Sequence, residues 1–178
     1  MKKWIAIAVG IFLLCGAIYF GSPYYAARQL RDAALAGDKD ALEAGVDFPA
    51  VRESLKSQLS AVFMHKLQND PEMQNNPFAG LGAIMAPALV DRAVDAYITP
   101  DGIAAAIRGQ KPAESDKTEM NPEIESQSDY VSLERFRVKL HNTKLKQDGP
   151  SLLFERRGFA SWKLIRLELP DSMLLPKA

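Results

Sequence analysis

Cysteine and histidine are nearly missing from this 178-residue chain, which has one Cys, at position 15, and two His, at 65 and 141. A lone cysteine excludes an internal disulfide framework, and beyond residue 15 there is no thiolate metal site and no Cys nucleophile. His65 sits between Met64 and Lys66, and His141 precedes Asn142. Neither has an HxxxH or HExxH neighbour, so zinc ligation and triad chemistry lack their spacing, and both histidines read as polar surface residues. Charge of one sign is lacking too, since 22 Lys and Arg balance 22 Asp and Glu. No cofactor and no metal is expected.

The long apolar run is the feature the chain does have. Lys2 and Lys3 precede an uninterrupted stretch from Trp4 to Phe20, and Ser22-Pro23-Tyr24-Tyr25 follows. Seventeen helical residues reach roughly 25 Å, near the hydrocarbon thickness of a bilayer and longer than a signal-peptide core. Trp4 at one end and Tyr19, Tyr24 and Tyr25 at the other suit the headgroup level. The stretch reads as a transmembrane anchor over residues 1–21, contacting the membrane through residues 4–20. The alternative is a cleaved signal, for which Cys15 and Ala17 are the only small pair near the end of the core. Bulky Leu14 before Cys15 argues against a lipoprotein signal, which leaves Cys15 as a small apolar residue in the span. Lys2 and Lys3 before the span, against Arg28 and Arg31 after it, favour an N-terminus in the cytoplasm, and the long domain beyond Ser22 is expected to cross the membrane. Nucleic acid is excluded from that compartment.

In the exported part the helical signals come first. Ser22-Pro23 offers an N-cap and a helix-starting proline, and Ala27, Leu30, Ala34 and Leu35 keep one face apolar up to Gly37, so the anchor runs on into a surface helix. Gly37-Asp38 ends one helix and caps a short second one over 39–44, stopped by Gly45. Val46-Asp47-Phe48 is an extended entry to a long helix opened by Pro49, with Val51, Leu55, Leu59, Val62, Phe63 and Leu67 as its core stripe. Asn69 to Pro77 breaks the pattern. Another helix is expected from Pro87, carrying Leu89, Val90, Ala93, Val94 and Tyr97, and a last one follows Thr99-Pro100 and ends at Gly109. These helices make up a section over 22–109.

Residues 110–129 are acidic and poor in large apolar side chains, which predicts a mobile loop. After it the period changes to two. Tyr130 to His141, Leu152 to Arg157 and Trp162 to Leu169 read as strands, with turns at Gln147-Asp148-Gly149-Pro150 and Gly158-Phe159-Ala160-Ser161. Phe136, Val138 and Leu140 share one face, as do Ile165, Leu167 and Leu169. The expectation is an α+β domain, about five helices packed on an antiparallel meander of three or four strands in 130–178.

Two segments, Ala26 to Leu59 (AARQLRDAALAGDKDALEAGVDFPAVRESLKSQL) and Trp162 to Pro170 (WKLIRLELP), resemble the bacterial family of domain of unknown function 2939. Gly37-Asp38, Val46-Asp47-Phe48-Pro49 and Trp162-Lys163-Leu164 carry the resemblance. It implies small envelope proteins on an N-terminal anchor and assigns no activity. More loosely, a helical hairpin ending in Ala36-Gly37-Asp38, a short strand, a helix and a terminal meander look like the cone-shaped fold of nuclear transport factor 2 and the ketosteroid isomerases. Helices inserted between Leu67 and Gly109 depart from that pattern, and no Asp or Tyr matches a catalytic position, so chemistry does not follow from the likeness.

Few constellations invite a functional reading. Asp91 and Asp95 stand one helical turn apart, yet with Arg92 and Arg108 near in sequence they read as a solvated charged face. Gly80-Leu81-Gly82 lacks the strand-turn-helix context of a phosphate loop and reads as a hinge. Across 130–170 nine basic side chains outnumber four acidic ones. Arg135, Arg137, Lys139, Arg156 and Arg157 are therefore candidates for anionic headgroup contact beside the anchor, against a solvated face paired with the acidic loop. Phe78, Leu81, Ile84 and Met85, in the apolar stretch 78–85, either fill the core or form a surface for an apolar ligand or a partner protein. The expected function is non-enzymatic: a membrane-anchored envelope protein whose exported domain binds a partner protein or an apolar, lipid-like ligand. The alternative is a small isomerase- or hydrolase-like enzyme, which requires a carboxylate or His such as Asp47, Asp91 or Asp95 in a helix-sheet cleft.

Overall fold

The computed structural model describes residues 2–69, 79–107, 124–143 and 146–170. Helices α1 (Lys2–Ala36), α2 (Lys39–Gly45), α3 (Phe48–Asn69), α4 (Ala79–Tyr97) and α5 (Pro100–Ile107) precede strands β1 (Ile124–Ser132), β2 (Arg135–Asn142), β3 (Gln147–Arg156) and β4 (Trp162–Glu168). The strands form one antiparallel sheet in the order β1-β2-β3-β4, the α+β meander expected from the change of period.

Local chemistry accounts for four of the helix ends. Gly37, at φ +71°, closes α1 by donating to the Ala34 carbonyl while Asp38 N–H reaches Ala33, a double bond pattern that needs the left-handed conformation glycine adopts freely. The Asp38 carboxylate then caps α2 through Ala41 N–H, and Asp47 caps α3 through Ala50 N–H. Thr99 Oγ1 accepts from Gly102 N–H at the start of α5. Val46 makes a single parallel bridge to Leu164, and Asp47 N–H donates to the Leu164 carbonyl, so the α2–α3 connection is pinned to β4.

Leu30, Ala34, Leu42, Val51, Val94 and Ile103 of the helices bury against Phe136, Phe154, Trp162 and Leu164 of the sheet. Gln58 ties α3 to β4 at two points, donating to the Leu167 carbonyl and accepting from Leu169 N–H. Arg52 does the same for the end of α4, with two bonds to the Ile98 carbonyl.

The structure corrects several expectations. No new helix begins at Ser22-Pro23, because α1 runs unbroken from the apolar stretch to Ala36 with Pro23 inside it. α4 begins at Ala79 rather than near Pro87, so Gly80-Leu81-Gly82 is helical and not a hinge. The acidic stretch splits: residues 108–123 lie outside the described residues, while 124–129 belong to β1. Polar side chains hid that strand, which stands at the sheet edge and is held by backbone pairing to β2. Tyr130 to His141 is accordingly two strands turning at Leu133 and Glu134, and the expected turn at Gln147 to Pro150 is the start of β3. In β4 a register shift opposite Leu153 and Phe154 reverses the alternation at Ile165. Trp162 and Leu164 face the core before it, Leu167 and Leu169 after it, and Ile165 does not join them.

Candidate functional site

Proline inside a helix leaves the carbonyl four residues earlier without its donor. For Pro23 that carbonyl belongs to Tyr19, and two side chains claim it: Ser22 Oγ at 2.9 Å and Arg156 Nη2 at 3.2 Å. The Arg156 guanidinium lies between the rings of Tyr19 and Trp162, 3.7 and 4.2 Å from their centroids. Its other nitrogens donate to the carbonyls of Leu133 and Phe159, one in each turn at this end of the sheet. Trp162 Nε1 donates to Ser22 Oγ at 2.8 Å, and Tyr130 Oη to the Phe20 carbonyl at 2.8 Å. Burial pushes the Tyr130 phenol above its usual range, with Arg156 opposing. Tyr24 closes the latch by packing edge-on against Phe136 at 4.7 Å.

Beyond the latch, α1 and the sheet part to leave a groove of about 400 Å³. Its floor is Phe136, Val138, Leu140 and Leu152; its helical wall runs from Tyr24 to Leu35, with Ala27, Leu30 and Leu35 inward. The wall covers twelve residues, about 17 Å of helix from first to last. Ser126 and Ser128 of β1, with Arg28, Arg31 and Asp32 of α1, supply its polar part. Arg28 and Asp32 are largely exposed and face each other at 3.8 Å. A smaller space of about 70 Å³ lies across Leu140 and Leu152, between the sheet and Ile98, Gly102 and Ile103. Asp32 is the carboxylate in the lining of the groove, and among the described residues no histidine lines either space.

The family described as protein of unknown function (DUF2939) matches residues 11–106, more than half of the chain. The chain belongs to this family. No curated protein and no solved structure matches it, so the cone-fold likeness gains no support. The DUF2939 segment contains α2, α3, α4 and the latch half of α1, and ends within α5 before the sheet. Trp162 to Pro170, one of the two stretches that carry the resemblance, lies outside the match.

Within and beyond the DUF2939 segment the candidate residues scatter. Of the apolar set, Phe78 lies outside the described residues and the side chain of Leu81 is not described. Ile84 and Met85 are exposed on α4 and are joined by Leu89 one turn later. They line neither of the two apolar spaces. Of the basic set, Arg156 is the bolt of the latch, with its guanidinium bonded to the Tyr19, Leu133 and Phe159 carbonyls. Its register partner is Trp162, on the core side of the sheet. Arg135, Arg137 and Lys139 alternate with core-facing Phe136 and Val138 and so occupy the outer face, opposite Glu155, Asp129 and Gln127 respectively. Arg157 pairs with Asp47 and Glu155, each at 3.1 Å.

The residues weighed for catalysis are engaged elsewhere. Asp91 and Asp95 hold Lys56 at 3.6 and 3.2 Å on the α3–α4 surface. The Asp95 hydrogen bond is the main cause that raises Lys56 above its ordinary range, against a desolvation that lowers it. Asp47 caps α3. His141 Nδ1 meets Asp148 Oδ1 at 3.0 Å on exposed strands, and His65 is exposed on α3. Among the described residues no three His, Cys, Asp or Glu gather as metal ligands. Sequence reading missed the latch and the Ser126–Ser128 side of the groove. The available signals were a proline in an otherwise continuous helical pattern and a strand too polar for its period to show.

Proposed function

We propose that this DUF2939 protein is a single-pass inner-membrane protein whose exported domain holds an apolar, acyl-chain-like molecule in the groove between α1 and the sheet. One observation carries the reading: an apolar-floored groove of about 400 Å³ has as its wall the same helix that is long and apolar enough to cross a membrane. Ligand pockets generally begin near 300 Å³ and are apolar with a few polar groups at the edge, which this groove matches. None of the most apolar 18-residue window of α1 is buried against the protein, as suits a helix whose surroundings are lipid. Lys2 and Lys3 favour an N-terminus in the cytoplasm, with the domain outside. We read the groove as one of binding: Asp47, Asp91 and Asp95 are committed to a helix cap and ion pairs away from it, and Asp32 at its edge is largely exposed and faces Arg28.

Native mass spectrometry of the full chain in mild detergent, with lipid extraction of the same sample, tests this. The expected result is a bound apolar species, lost when Ala27→Trp fills the helical wall while the circular dichroism spectrum stays the same. An empty groove in the unaltered protein, or a bound species that persists in Ala27→Trp, refutes it.

A second reading has its own observation. Ile84, Met85 and Leu89 are 78%, 51% and 63% exposed on one segment of α4, an apolar stripe suited to an envelope partner protein. Photocrosslinking from position 84 in intact cells tests it, and a specific adduct lost in Leu89→Glu is the expected result.

A further inference from the structure

We infer that the sheet end carrying the β1–β2 turn and the β3–β4 loop is seated in the lipid headgroup layer, with Leu133 and Phe159 in contact with lipid beside the anchor. The inference rests on α1 spanning the bilayer and is independent of what the groove holds. The apolar run from Trp4 to Phe20 is about 25 Å long, slightly less than a hydrocarbon core of roughly 30 Å. Tyr19 and Phe20 therefore lie at its outer boundary. The sheet is bonded to α1 at both residues, through Arg156 to the Tyr19 carbonyl at 3.2 Å and Tyr130 to the Phe20 carbonyl at 2.8 Å, and two residues on through Trp162 to Ser22. A rigid sheet fixed at that depth brings its own turns to the same depth. The turns are built for it: Leu133 and Phe159 are 62% and 58% exposed, and the Phe159 ring lies 5.5 Å from that of Tyr19. Exposed Arg135 and Arg157, each two residues from one of these apolar tips, stand one step back, where phosphate groups begin.

Spin labels on the full chain in phosphatidylcholine–phosphatidylglycerol vesicles decide the matter. One label goes on native Cys15; in a Cys15→Ser background, others go on Leu133→Cys, Phe159→Cys and, as a distal reference at the start of α2, Asp40→Cys. Both tips are exposed, so labelling leaves the core packing alone. The expected result is that labels at 15, 133 and 159 collide more often with oxygen than with a water-soluble nickel complex, and that the label at 40 does the reverse. If 133 and 159 behave like 40 while 15 remains lipid-like, α1 spans but the seating is wrong. If 15 also behaves like 40, the anchor is wrong and the seating falls with it.

Discussion

Arg156 donates to the Tyr19 carbonyl, the group that Pro23 deprives of its helical donor. A proline that would weaken an isolated helix thus provides the acceptor by which the sheet grips it. The same guanidinium fills the space between two aromatic rings and satisfies two turn carbonyls, a set of contacts that an ammonium cannot reproduce. Arg156→Lys is expected to lose on the order of 2 kcal/mol, close to the loss in Arg156→Ala, from stacking and charged hydrogen bonds together. Thermal unfolding of the full chain in detergent, followed by circular dichroism, measures both.

Ser22 is the acceptor for a buried indole N–H. Trp162 is 5% exposed and Ser22 7%, so water cannot take over if the hydroxyl is lost. Ser22→Ala is expected to cost roughly 1–3 kcal/mol, the penalty of an unsatisfied buried donor, while Ser22→Thr keeps the oxygen and loses less. A thermal melt of the two variants beside the unaltered protein tells them apart.

Tyr130 makes the latch pH-dependent at the alkaline end. Its phenol is raised in the folded state, first by burial, with Arg156 pulling the other way. A raised value means that folding favours the protonated form. The contribution is complete below the ordinary phenol value of about 10 and is lost as pH rises through the folded value. Melting temperatures taken across that range are expected to fall less steeply in Tyr130→Phe than in the unaltered protein, since the variant has already lost the bond to Phe20. Parallel curves would contradict the assignment.

Two helical glycines should respond to alanine with opposite signs. At Gly80 a Cβ meets nothing within 4 Å, so Gly80→Ala is expected to stabilise α4 by about 0.5–1 kcal/mol. At Gly102 the Cβ collides with the Tyr97 backbone carbonyl, where neither side can yield cheaply. Gly102→Ala is expected to destabilise despite the better helix propensity of alanine. A shared urea-unfolding series reads both.

Where local chemistry decides, the sequence was legible. Gly37-Asp38, Asp47 and Thr99 mark their helix ends, and the change of period marks the sheet. It was least legible where tertiary contacts overrule a local signal. Ser22-Pro23 has the composition of a helix start, yet donors 110 and 137 residues away support the Phe20 and Tyr19 carbonyls within one continuous helix. β1 is polar because one edge strand needs only backbone bonds, and Ile165 changes face because a register shift has no sequence mark. Of the candidate site, the basic cluster was visible as composition. Its division into a latch bolt and an outer face depended on the parity of Arg156 relative to Trp162, which only the register reveals.

The absence of any linker between the apolar stretch and the domain gives α1 the role of a drive shaft. Successive residues of α1 stand about 100° apart around its axis, so changing by one which of residues 4–20 faces a given direction is a rotation through that angle. Because Arg156 and Tyr130 bond the sheet to Tyr19 and Phe20 of that helix, a rotation of α1 turns the sheet, and the groove between them, with it.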